Sequence, residues 1–225
     1  MTGDVGGPAY DRLVGDLVMA GRRAVAAGLV VGSGGNLSAR LPGGDTAVVT
    51  ATGGWLDELT AADFALVRIA DGAVVGGNPR PSVETPLHLA CYRRRPDVTA
   101  VVHLHPQMSV LLTALGHRIR LITTDHVLYV REVRVAPYAH SGTDELATAA
   151  AELLADADCV ILSNHGCSVV ADSVGLAYKR AANLEEAALA TYRALLLGDT
   201  TTTCPPAYRE RLDTIPAANL ARGAH

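Results

Sequence analysis

The chain has 225 residues, of which 49% are hydrophobic, 19% charged and 4% aromatic, a globular composition that excludes a disordered chain. Lys and Arg number 19 against 23 Asp and Glu, a formal charge of −4 that gives no basic footprint for nucleic acid. No apolar run approaches the roughly 20 residues that span a bilayer, and Met1 to Gly7 lacks a basic-then-apolar leader, so a cytoplasmic protein with no membrane partner is expected.

From Tyr10 to Ala27, Leu13, Leu17, Ala20 and Ala24 recur at helical spacing, and Gly28 stands where a helix is capped. Asn36 to Leu41 and Ala47 to Ala51 read as strands joined by the hairpin loop Pro42-Gly43-Gly44-Asp45. A third strand, Leu66 to Ala70, turns at Asp71-Gly72 into Ala73 to Val75. Thr85 to Arg95 reads as a helix that must stop before Pro96. Strand-like and helix-like pieces then alternate: Ala100 to His105, Met108 to Leu115, a strand-rich stretch through Val135, a helix from Thr143 to Leu154, and the apolar strand Cys159 to Leu162. A long helix from Val174 to Leu197, with Arg180, Glu185 and Glu186 as its polar face, ends at Gly198. This alternation predicts an α/β fold. The Thr- and Pro-rich tail beyond Asp199 is expected to be partly mobile, and no composition shift justifies dividing residues 1–225, with a core of about 10–197 and a tail of 198–225.

The chemistry-bearing residues cluster in a few places. Cys91, Cys159, Cys167 and Cys204 form no Cys-x-x-Cys, so neither a disulfide framework nor a thiolate zinc site is indicated, and a bound metal needs histidine and carboxylate. His103 and His105 lie two apart in an apolar strand and so project from one face, where two imidazoles can chelate one ion. The alternative is a pair of hydrogen-bonded strand-end histidines. Zinc needs further ligands, and two are available. His165 follows an apolar strand in Ser163-Asn164-His165-Gly166, and Glu84 stands just ahead of a helix, where a carboxylate is also favoured by the helix dipole alone. His88, four residues on, reads as a packed helix histidine. Gly32-Ser33-Gly34-Gly35-Asn36 lacks the spacing of a dinucleotide fingerprint but can form an anion nest, and Thr50-Ala51-Thr52-Gly53-Gly54 offers hydroxyls beside flexible amides.

The ordered series Gly35-Asn36-Leu37-Ser38, Thr50-Ala51-Thr52-Gly53, Pro81-Ser82-Val83-Glu84 with His88, Pro96-Asp97, Ala100-Val101-Val102-His103-Leu104-His105, Ala136-Pro137-Tyr138 to Gly142-Thr143 and Asn164-His165-Gly166 resembles the class II aldolase and adducin family, most closely its fuculose-1-phosphate aldolase branch. The resemblance runs from about residue 10 to residue 197. It implies a single-domain three-layer α/β/α fold with a central, mainly antiparallel sheet, assembled as a homotetramer with sites between subunits. It further implies one zinc ion per subunit held by Glu84, His103, His105 and His165, and the phosphate of a sugar phosphate held by Asn36, Thr52, Gly53 and Ser82. Glu84 is implied to leave the metal and move a proton, a role that a raised pKa in a poorly solvated site suits. The activity implied is reversible cleavage of a ketose 1-phosphate to dihydroxyacetone phosphate and an aldehyde.

Two positions depart from the pattern. Val83 stands where a second serine is common and offers phosphate only its backbone. Thr123-Thr124 fall where a partner-borne tyrosine acid is expected, leaving Asp125, His126, Tyr129 and Tyr208 as candidates. The rival readings are a pentulose-phosphate 4-epimerase, a sugar-phosphate dehydratase or decarboxylase of the same family, and a metal-free adducin-like interaction module. Presence of all four metal positions argues against the last.

Overall fold

In the computed structural model, which describes residues 6–215, helix α1 spans Pro8–Ala26. Pro8 suits a first turn, where its missing N–H has no intrahelical partner to lose. Gly28 closes the other end at φ +69°, donating its N–H to the carbonyl of Val25. The strands are β1 (Asn36–Arg40), β2 (Thr46–Thr50), β3 (Phe64–Arg68), β4 (Val74–Gly77), β5 (Ala100–Leu104), β6 (Arg134–Ala136), β7 (Cys159–Leu162) and β8 (Gly166–Ala171). They form one eight-stranded sheet in the order β4-β3-β2-β1-β5-β8-β7-β6. Every neighbouring pair is antiparallel except β6 with β7. The sheet is thus mainly antiparallel, as expected.

Helices cover both faces: α2 (Thr85–Arg94), α3 (Gln107–Ala114), α4 (Asp144–Leu153), α5 (Val174–Leu196) and α6 (Pro206–Asp213). Strand alternation decides which side chains meet which layer. Val102 and Leu104 of β5 join Leu17 of α1 and Leu184 of α5 in one apolar cluster, whereas Val101 joins Leu87 and Tyr92 of α2 and Leu146 of α4 in the other. The result is a three-layer α/β/α arrangement with His103 on the α2 side of the sheet.

Three expectations need correction. The stretch through Val135 is not strand-rich: His126–Val130 form a π-helical turn and only Arg134–Ala136 is extended. The β-branched residues there suit a strand, but the His126 ring accepts the Ile122 and Thr123 amides and winds the chain. Val130 then enters the α5-side core while Val127 meets Cys204 and Leu212. The part of the tail that is described contains α6, seated on that turn through Leu212 and Tyr208, while residues 216–225, on which the expected mobility also falls, lie outside the described residues. Glu185 does not belong to a solvated face. Its carboxylate is buried and accepts the Met108 and Ser109 amides, both at 2.8 Å, closing the N-terminus of α3 from α5.

Candidate metal centre

The register of β5 assembles the site. His103 lies opposite Asn36 of β1 on one side and Ser168 of β8 on the other. Its Nδ1 is 3.0 Å from the Ser168 hydroxyl, which leaves Nε2 to point toward His105. Such a partner on the far ring nitrogen fixes ring orientation in metal-binding histidines. His165 arrives on the tight turn between β7 and β8, where Asn164 adopts φ +58° and His165 N–H donates to the Leu162 carbonyl. Glu84 precedes α2, its amide donating to the Ser82 hydroxyl at 3.2 Å. The structure therefore brings Glu84, His103, His105 and His165 together, with one ligand atom from each lying within 4.8 Å of all the others.

The spacing suits a cation. His103 Nε2 is 3.0 Å from His105 Nε2 and 3.1 Å from Glu84 Oε2, and His165 Nε2 is 3.4 Å from Glu84 Oε1. Ligand atoms about 2.0–2.1 Å from one tetrahedral zinc stand about 3.3–3.4 Å apart. Two neutral imidazole nitrogens facing each other can share a proton, one donating and the other accepting, or turn both lone pairs to a cation between them. Burial, reinforced by the neighbouring rings, pushes His105 down to about 4 and also lowers His165. Both are then neutral at pH 7, the form a metal requires. Burial alone would push the Glu84 carboxyl up, but His103, the Asn36 amide and His165 hold it well below the usual carboxylate range. The raised value is expected of a Glu84 released from these neighbours, and the lowered one belongs to the carboxylate that faces them.

Gly166 makes the convergence possible. A Cβ there would collide with the Leu104 carbonyl and lie 2.7 Å from His105 Cδ2. Gly166→Ala is thus expected to displace His105 and sharply reduce the metal content of the purified protein. A variant with the parent's metal content would show that the turn yields elsewhere.

Beside the four groups lies a cavity walled by Ser33 to Asn36, Thr50 to Gly54, Ser82, Val83 and Ser141. Both glycine-rich loops and all four expected phosphate positions, Asn36, Thr52, Gly53 and Ser82, line it. Thr52 and Gly53 are exposed, and no acceptor takes the Gly53 or Gly54 amide among the described residues. Asn36 is committed more deeply: its Nδ2 donates to Glu84 Oε2 at 2.9 Å and its Oδ1 meets His88 Nε2 at 2.6 Å. Sequence reasoning missed Ser141, whose hydroxyl donates to Glu84 Oε1 at 2.9 Å, and Ser168. A serine among other polar loop residues carries no signal of its own, although the pairing of β5 with β8 would have exposed Ser168. The candidate distal acids lie apart. His126 is buried in its turn, Tyr208 packs on that turn, Tyr129 sits beneath Lys179, and none of these or Asp125 lines the cavity.

The fold and this group of side chains define a class: an α/β/α enzyme built around a three-histidine, one-glutamate centre suited to a divalent metal. The chain belongs to the class II aldolase and adducin family, since the model of the Class II Aldolase and Adducin N-terminal domain matches residues 15–192, and it is a lyase. It is 30% identical over 184 residues to a 5-deoxy-D-ribulose 1-phosphate aldolase of Bacillus thuringiensis serovar kurstaki, covering 82% of this chain and 86% of that protein. It is 37% identical over 177 residues to a 3-oxo-tetronate 4-phosphate decarboxylase of Escherichia coli K12, covering 76% of this chain and 81% of that protein. A solved L-fuculose 1-phosphate aldolase superposes with a TM-score of 0.83 at 27% identity, covering 94% of this chain and all (100%) of that one. Among the described residues no helix is long and apolar enough to cross a membrane.

Proposed function

We propose that the chain is a zinc-dependent aldolase that reversibly cleaves a ketose 1-phosphate, of the fuculose or deoxypentulose type, to dihydroxyacetone phosphate and an aldehyde. The observation that carries this reading is the meeting of Glu84, His103, His105 and His165, of which Glu84, His105 and His165 line the cavity that both glycine-rich loops wall. One zinc ion per subunit, held by these four groups, would stabilise the negative charge that develops on the ketone oxygen as the carbon–carbon bond breaks. The Thr52 hydroxyl, the Gly53 amide, Ser82 and Asn36 bind the phosphate and so fix the reacting carbon against the centre. Glu84 takes and returns the proton at that carbon, with Ser141 and Asn36 aligning its carboxylate. As Val83 has no hydroxyl, the phosphate relies more on backbone amides than on side chains.

The same reading includes a single domain with its core over residues 10–197, a cytoplasmic location and a homotetramer with sites between subunits. Two observations support the assembly. None of the candidate distal acids lines the cavity of its own chain, so a neighbouring copy can supply one. Val83, which lines the cavity, and Trp55, which stands between the lining residues Gly54 and Leu56, are exposed apolar surface of the isolated chain.

The test is a screen of ketose 1-phosphates with coupled detection of dihydroxyacetone phosphate, run on the parent and on Thr52→Ala. Release of dihydroxyacetone phosphate from the phosphorylated ketose is expected, and, followed through the aldehyde that both substrates release, KM in the variant should rise far more for the phosphorylated ketose than for its dephosphorylated analogue. Equal changes in KM would place the phosphate elsewhere. The 37% identity to the decarboxylase favours a second reading, since loss of carbon dioxide beside a ketone leaves the same developing charge. Carbon dioxide from a 3-oxo acid phosphate, with no aldol cleavage, would select it.

A further inference from the structure

A line of buried polar side chains leads away from Glu84 across β1 into α2, and its hydrogens have only one consistent direction. Asn36 Nδ2 lies 2.9 Å from Glu84 Oε2, and Asn36 Oδ1 lies 2.6 Å from His88 Nε2. His88 Nδ1 is 2.6 Å from Ser38 Oγ, which is 2.7 Å from the Tyr92 hydroxyl. His88 and Ser38 are fully buried at 0% exposure and Tyr92 at 1%, so water does not complete these bonds. His88 and Tyr92 follow Glu84 at intervals of four, on one helix face, while Asn36 and Ser38 share one face of β1.

A carboxylate only accepts, so the Asn36 atom facing Glu84 must be the amide nitrogen and the one facing His88 the carbonyl oxygen. His88 must then carry its proton on Nε2. A neutral imidazole has one bare nitrogen, so Nδ1 accepts from the Ser38 hydroxyl, and Ser38 in turn accepts from Tyr92. Arg40 fixes the far end, its guanidinium carbon 5.0 Å from the Tyr92 ring centroid and its Nη2 donating to the Tyr92 carbonyl.

We infer that His88 and Ser38 are positioning residues for the proposed proton-transferring carboxylate: the His88 Nε2–H holds the Asn36 carbonyl so that the amide donates to Glu84, and the Ser38 hydroxyl, by filling Nδ1, holds the ring in place. This inference rests on the aldolase reading for the meaning of Glu84, but the hydrogen-bond order stands independently of it. Without the Ser38 hydroxyl, His88 Nδ1 is left bare and buried, and the ring loses the contact that seats its Nε2–H on Asn36. The Asn36 side chain is then held less firmly against the carboxylate.

Histidine-selective 15N NMR at neutral pH, on the parent and on Ser38→Ala and Tyr92→Phe, tests this without any turnover. The parent is expected to show His88 protonated at Nε2. Tyr92→Phe keeps that tautomer, because the Ser38 proton still reaches Nδ1, and Ser38→Ala keeps it too but shifts the Nδ1 resonance toward that of a bare nitrogen, its donor being lost. The kcat of Ser38→Ala should fall by about 10-fold, the lower end of what losing a hydrogen bond to a charged group costs, since the Asn36 donor is loosened and not removed. An Nδ1–H tautomer in the parent overturns the inference even if Ser38→Ala does not fold, and so does a folded Ser38→Ala protein whose kcat matches the parent's. A parent with the expected tautomer but no lyase activity on any ketose phosphate would instead count against the aldolase reading.

Discussion

Glu84→Gln is expected to keep its metal and to lose about 10²- to 10⁴-fold in kcat, the usual cost of removing a general acid or base. The surroundings of the carboxylate show why the substitution isolates chemistry from folding. Oε2 accepts from Asn36 and Oε1 from Ser141. A glutamine can keep its oxygen toward Asn36 and turn its nitrogen toward Ser141, whose hydroxyl rotates from donor to acceptor. Three imidazoles remain to hold the ion. Metal analysis beside retro-aldol kinetics decides the matter. Full metal with near-normal turnover would reduce Glu84 to a ligand or a helix-start carboxylate, with Asp125 or His126 the first groups to examine as proton carriers.

The opposite pattern is expected for His103→Ala, in which metal and turnover disappear together. His103 is the most enclosed of the four groups, at 0% exposure, and its Nε2 stands close to both His105 and Glu84. Its removal opens a void between β1 and β8. The Ser168 hydroxyl loses its partner and Glu84 faces the gap with one neighbour fewer, a buried polar loss that typically costs about 1–3 kcal/mol per group. Purified His103→Ala should therefore contain little metal, show no cleavage and unfold at lower denaturant than the parent. Retention of stoichiometric metal would mean that the other three groups suffice and that the His103 ring serves the fold alone.

Much of the site was legible in the chain because local periodicity aims its side chains. His103 and His105 share a face through strand alternation, and Glu84 is placed by the start of α2. His165 was visible only as a histidine ending a core strand, since its approach depends on the β7–β8 turn and the pairing of β8 with β5, separations that no local pattern encodes. Ser141, Ser168 and the second role of Asn36 were invisible for the same reason. Elsewhere local pattern misled. His126–Val130 has strand composition but winds around a side-chain cap, and Pro206–Asp213 has little intrinsic apolar character yet folds because the turn offers it a seat. Glu185 read as surface because a charged residue on a long helix usually is; its burial follows from a donor pair 76 and 77 residues earlier in the chain.

That last contact matters to anyone who would retune this enzyme by directed evolution. The amides that Glu185 receives begin the helix that leaves the strand immediately after His105 and Pro106. A library confined to positions in view of the cavity would leave Glu185 untouched by accident, whereas a surface-charge library, choosing glutamates on long helices as harmless, would select it and loosen the anchorage of a ligand from behind.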